Sequence, residues 1–96
     1  MPIYNNLVTL GTAAQMVVPP RNMGQEVHLH NMTKSSNEYI HLGSSNINLT
    51  NSIHMDPGES MTLILGPGDD LYAFSDPSGL ELGILAVIQD YWHLIT

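Results

Sequence analysis

A chain of 96 residues has the size of one domain and can build one hydrophobic core. Apolar residues make up 43% of it and charged residues only 11%, so the surface is rich in neutral Asn, Ser, Thr, Gln and Gly, which suit turns and solvated sheet faces better than exposed helices. Nine acids against Arg21 and Lys34 give a formal charge of −7, which sets nucleic acid aside as a partner, and the absence of cysteine excludes disulfides, thiolate metal sites and a cysteine nucleophile.

Short strand candidates recur along the chain at the spacing of a sandwich or barrel. Met1-Pro2 runs straight into strand-like sequence, with no basic n-region and no long apolar run, so neither a signal peptide nor a membrane span is expected and synthesis in the cytosol is. Residues 6–10 read as a first strand ending at Gly11, and residues 15–18 as a second ending at Pro19-Pro20; Arg21-Asn22-Met23-Gly24 is loop-like. In Glu26-Val27-His28-Leu29-His30 the alternation puts Val27 and Leu29 on one face and Glu26, His28 and His30 on the other.

Residues 33–37 read as a polar hairpin loop, Tyr39-Ile40-His41-Leu42 resumes the alternation, and Gly43-Ser44-Ser45-Asn46 turns the chain before Ile47 and Leu49, which share a face. Asp56-Pro57-Gly58-Glu59 predicts a type II turn, because Pro presets φ and Gly accepts φ > 0. Residues 60–65 follow as a strand, Gly66-Pro67-Gly68-Asp69-Asp70 breaks it, residues 71–74 form another, and Asp76-Pro77-Ser78-Gly79 is a turn of similar chemistry.

Residues 80–88 are the longest apolar stretch, with Leu82, Ile84, Ala86 and Ile88 on one parity and Leu85 and Val87 on the other. Both faces are therefore expected to be covered, the second by the sandwich itself or by another subunit. Residues 89–96 form an apolar aromatic tail whose Tyr91, Trp92, Leu94 and Ile95 call for a surface to hold them, on the chain's own core or on a partner. The expected fold is all-β: a single antiparallel β-sandwich or jelly-roll-like barrel of about seven to eight short strands with little or no helix.

His28 and His30 stand two apart on one strand face, the spacing at which a β-scaffold offers two imidazoles to one metal ion. Glu38, His41 and His54 are the nominal further ligands, and the pattern is similar, weakly, to the cupin His-x-His motif. Glu38 comes too late for that motif, beyond a polar loop, and no suitably placed His follows the 56–59 turn. A plain surface or interface pair is thus the preferred reading. Asp69-Asp70 could hold a hard cation but reads more simply as a solvated turn. No Gly-x-Ser-x-Gly elbow and no phosphate-binding loop with a lysine occurs, and the expectation is a protein that is neither an enzyme nor a cofactor carrier. The sequons Asn31-Met32-Thr33 and Asn48-Leu49-Thr50 are chance matches in an Asn-rich chain.

The order Val8-Thr9-Leu10-Gly11, Val27-His28-Leu29-His30-Asn31, Tyr39-Ile40-His41-Leu42-Gly43-Ser44, Asp56-Pro57-Gly58-Glu59 and Gly68-Asp69-Asp70-Leu71-Tyr72-Ala73 resembles the small β-sandwich proteins of tailed-bacteriophage virions, over residues 8–88. The resemblance implies a capsid decoration, or cement, protein that binds the outer surface of the head and stabilises its lattice. Its partners would be its own copies, as a homotrimer, and the major capsid protein, with no membrane or nucleic acid involved. Its place would be the capsid surface of the virion, after synthesis in the host cytoplasm. A tail or fibre module binding carbohydrate or a receptor is the alternative, with Tyr39, Tyr72 or Trp92 as a stacking platform. A cupin-like metal protein built on His28 and His30 comes third. The chain departs from the pattern at His41 and in its tail. Leu85 and Val87, with Tyr91, Trp92, Leu94 and Ile95, are the expected oligomer or capsid interface, since a three-fold assembly uses the same patch in every copy.

Overall fold

The structure is a computed structural model that describes residues 3–35, 37–48 and 50–89. Eight strands run through it: β1 (Ile3–Thr9), β2 (Gln15–Val18), β3 (Gly24–Asn31), β4 (Tyr39–Gly43), β5 (Ile53–Met55), β6 (Ser60–Leu65), β7 (Leu71–Asp76) and β8 (Glu81–Gln89). No helix occurs among the described residues. β1 pairs with β8, β2 with β7, β3 with β6 and β4 with β5, all antiparallel, so the chain is one long hairpin with its tip between β4 and β5. Rolling that hairpin adds the pairs β3 with β8 and β4 with β7. The result is two four-stranded sheets, sheet A in the order β1-β8-β3-β6 and sheet B in the order β2-β7-β4-β5. This is the jelly-roll strand order, and the all-β expectation holds.

Every connection except that from β4 to β5 crosses from one sheet to the other. The 33–37 segment is accordingly no hairpin loop, because β3 and β4 lie in different sheets. Asn31 is the reason. Its side chain is fully buried, its amide donates to the carbonyls of Glu38 and Met55 at 3.2 Å each, and its Oδ1 accepts from Thr33 N at 3.1 Å and Thr33 Oγ1 at 2.7 Å. The end of β3 is thereby tied to the start of β4 and the end of β5 across the sandwich. The same contacts occupy the amide that the first sequon would offer.

Pro-Gly turns carry the crossings from β5 to β6 and from β6 to β7. Glu59 N donates to Asp56 O at 3.0 Å and Gly58 sits at φ 76°, the expected type II geometry. Gly66-Pro67-Gly68-Asp69 repeats it, with Asp69 N on Gly66 O at 3.1 Å and Gly68 at φ 84°. In each, the acid at the fourth position reaches back, so that Glu59 Oε1 accepts from Asp56 N at 2.7 Å and Asp69 Oδ2 from Gly66 N at 2.9 Å. The 76–79 turn is of another kind, since its Asp76–Pro77 peptide is cis.

The fifth strand is Ile53–Met55, not the neighbourhood of Ile47. Ile47 lies in the preceding loop and packs over Gly43, where a Cβ would overlap its side chain. The core lies between the sheets, with Val27, Leu29, Leu82, Ile84 and Ala86 of sheet A facing Val18, Ile40, Leu42, Met55 and Ala73 of sheet B. Each large aliphatic chain so buried contributes about 1.5–3 kcal/mol. The buried polar side chains in it are partnered as burial requires: Gln25 Nε2 donates to Pro19 O at 3.0 Å and Ser75 Oγ to Leu10 O at 3.2 Å.

Candidate protein-docking face

β8 is a central strand of sheet A, and its alternation decides what the outer face of that sheet looks like. Leu82, Ile84, Ala86 and Ile88 enter the core, as expected; Glu81, Gly83, Leu85 and Val87 point outward. The ladders continue each of these positions across the sheet. One row reads Ile3, Val87, Glu26, Ile64; the next Asn5, Leu85, His28, Thr62; the third Leu7, Gly83, His30, Ser60. Among the described residues the sandwich therefore covers one face of β8 and leaves the other open, with Leu85 39% exposed and Val87 half-buried.

Most of the large apolar side chains left exposed among the described residues collect here. Ile3, Leu7, Ile64 and Leu85 belong to the rows, and the Met32 sulfur lies 3.4 Å from where a Cβ on Gly83 would stand. Of the described acids only Glu26 and Glu81 are on this face. The missing side chain of Gly83 leaves a shallow depression of about 430 Å³ edged by Asn5, His28, His30, Ser60 and Leu85. Exposed aliphatic side chains among neutral polar ones, with few charges, are the composition found in protein interfaces.

Both histidines of the expected pair are on this face and are held sideways by β6. His28 Nδ1 shares a 3.1 Å hydrogen bond with Thr62 Oγ1 and its Nε2 is 3.4 Å from Glu26 Oε2, while His30 Nδ1 shares a 2.8 Å hydrogen bond with Ser60 Oγ. The nominal further ligands are elsewhere: His41 and His54 face each other across β4 and β5 in sheet B, and Glu38 precedes β4. No three His, Asp or Glu side chains come together as a metal-ligand group among the described residues.

The outer face of sheet B carries an aromatic cluster. His41 stacks on Phe74 at 4.7 Å and 9°, shares a 2.8 Å hydrogen bond with Ser52 Oγ through Nδ1, and lies 6.1 Å from the His54 ring; Tyr39 meets His54 edge-on at 5.2 Å. Burial pushes the His41 pKa down, the neighbouring His54 adds to that, and Asp76 opposes it. Beside Phe74 runs a groove of about 540 Å³ lined by Thr12, Ile47, Asn48, Thr50 and Asp76. Neither Tyr39 nor Tyr72 lines it.

Of the expected interface residues, Leu85 and Val87 are therefore on one outward face, and Tyr91, Trp92, Leu94 and Ile95 lie outside the described residues, as does the rest of the 90–96 segment. Ile3, Leu7, Met32 and Ile64 join Leu85 there without having been singled out. Ile3 and Leu7 share a parity in the sequence, a signal lost when the first strand is begun at Asn6. No helix among the described residues is long and apolar enough to cross a membrane.

No protein-family model matches the chain, and no curated protein matches it. Among solved structures it is similar to one from Bacillus endospore appendages, described as a novel family of disulfide-linked pili, with a TM-score of 0.51 and 13% identity over 88% of this chain and 82% of that one. At that identity the likeness extends to the fold.

Proposed function

We propose that the chain is a structural assembly subunit and, within that class, a decoration protein of a tailed-phage head that lays the outer face of sheet A on the capsid shell and acts as a homotrimer. The observation that carries this reading is the open second face of β8, where Leu85 stands among Ile3, Leu7, Met32 and Ile64 with few charges near it. The order of the sequence pieces supplies the phage resemblance. The occupant of the face is taken to be protein because exposed aliphatic side chains stand there among mostly neutral polar ones, while most of the acids of this acidic chain lie elsewhere. The pilus likeness is in keeping with a subunit that builds assemblies, but with no cysteine in the chain any association has to be non-covalent.

The experiment is co-sedimentation of the purified chain with heads of a phage whose gene for it adjoins the major capsid gene. Saturable binding that Leu85→Glu abolishes is the expected result; a chain that stays in the supernatant at every concentration contradicts it. The Phe74 groove favours a second reading, a fibre module that binds a neutral sugar between Thr12, Asn48 and Thr50. Binding on a glycan array that is lost in Thr50→Trp and kept in Leu85→Glu is the result that selects it.

A further inference from the structure

Among the described residues the two edges of sheet A are β1 and β6, and each has one ladder partner, β8 and β3 respectively. Natural edge strands are protected by charge, proline, bulges or shortness. Sheet B follows that rule: β2 has an irregular register and runs into Pro19-Pro20, and β5 is three residues long. Sheet A does not. β1 is seven residues of Ile-Tyr-Asn-Asn-Leu-Val-Thr in unbroken register, β6 is six residues of Ser-Met-Thr-Leu-Ile-Leu, and neither contains a charge or a proline.

The direction of the free backbone groups can be read from the bonds that are made. Leu10 N donates to Leu80 O, so in an alternating ladder Tyr4, Asn6 and Val8 turn their backbone groups toward β8, and Ile3, Asn5, Leu7 and Thr9 turn theirs away from the sheet. Leu7 N–H agrees, since it donates to the side chain of Asn6 and not to β8. On the far edge Asn31 N donates to Glu59 O, so Met61, Leu63 and Leu65 turn toward β3, and Ser60, Thr62 and Ile64 turn away. The residues whose backbone groups turn away from the sheet on both edges are thus the ones whose side chains stand on the outer face, and of these Leu7 N–H is held by Asn6 Oδ1 in the single chain and would have to exchange that bond on pairing. β1 and β6 also run antiparallel within the sheet.

We infer that β1 of one copy pairs with β6 of the next, antiparallel, with Asn5 opposite Thr62. That register sets Ile3 against Ile64 and Leu7 against Ser60, these three pairs standing on the outer face while Tyr4 meets Leu63 and Asn6 meets Met61 on the other, and it continues sheet A from copy to copy. Ile3 and Ile64 are 60% and 67% exposed in the single chain, and the pairing covers each with the other. Because β1 meets β6 and not its own kind, both edges of every copy are used. Such a head-to-tail contact closes into a ring when its rotation divides a full turn, as it does for a trimer. The inference rests on the assembly reading above and supplies its contact between copies, leaving the outer face free for the shell.

The chain's lack of cysteine makes the test direct. Asn5→Cys and Thr62→Cys proteins are mixed and treated with a short bis-maleimide, with Met16→Cys on sheet B as control. A dominant 5-to-62 link is expected. A dominant 5-to-5 link shows a two-fold β1 contact and overturns the inference, and so does a 5-to-62 yield no higher than that of the control. Ile3→Lys, a substitution at an exposed position, is expected to weaken association several-fold at an unchanged melting temperature, and Ile64→Glu in the same chain to restore it. Loss without rescue contradicts the register. Heads that bind a chain giving no 5-to-62 link defeat the pairing and keep the shell reading, whereas linked copies that ignore heads do the reverse.

Discussion

Leu85 of β8 stands directly opposite His28 of β3 on the outer face of sheet A, with Asn5 on its other side and no second layer of the described residues above it. A leucine at the centre of a sheet loses little in the free chain by this exposure and gains when a partner covers it. Leu85→Glu is accordingly expected to change the unfolding free energy by no more than about 0.5 kcal/mol, as for other exposed sites. Binding to the shell should fall by roughly tenfold or more, the size of effect seen at interface centres. Urea unfolding and co-sedimentation measure the two separately.

Asn31 binds the two sheets together through a buried amide. Asn31→Leu removes the donor from the Glu38 and Met55 carbonyls and the acceptor from Thr33, and should cost roughly 2–4 kcal/mol in chemical denaturation. Asn46→Leu, at an exposed loop position, is the comparison and should cost far less.

The turn between β5 and β6 depends on a positive φ. Gly58→Ala at φ 76° should lower stability by about 1–2 kcal/mol. Gly11→Ala has open space around its Cβ and no such φ, and should be near neutral by thermal melting.

His41 sets an acid-side limit on stability. Its folded-state pKa lies below its unfolded value of 6.5, chiefly through burial against Phe74 and then through His54, so the unfolded chain takes up the proton first. The contribution of the neutral ring is full above pH 6.5 and is lost progressively as pH falls through the folded-state value. His41→Phe should flatten that part of the stability profile between neutral pH and pH 5, as followed by urea unfolding at each pH.

Much of the fold is legible in the residues, because period-two alternation is strong wherever a strand has one buried face. Val27 and Leu29 in β3, and Leu82 through Ile88 in β8, show it. β5 escapes because Ile-His-Met between Ser52 and Asp56 is too short to display a period, and its pairing with β4 is settled by the sandwich. The sheet crossing after β3 escapes because it depends on Asn31 reaching Met55, far along the chain. Of the docking face, Leu85 and Val87 can be found from parity alone. Ile64 and Ile3 cannot, since only the register that aligns four strands brings them into one row with Val87. The histidine pair is legible as a shared face, but its engagement by Thr62 and Ser60 is a product of that same register.

The orientation of the chain on a shell is open to one direct measurement, made possible by the absence of native cysteine. Single Leu85→Cys and Met16→Cys proteins, on the outer faces of sheets A and B, are reacted with a maleimide dye both free and bound to heads. The account predicts that binding suppresses labelling at position 85 and leaves labelling at position 16 unchanged. Equal labelling at position 85 in the free and bound states would contradict it.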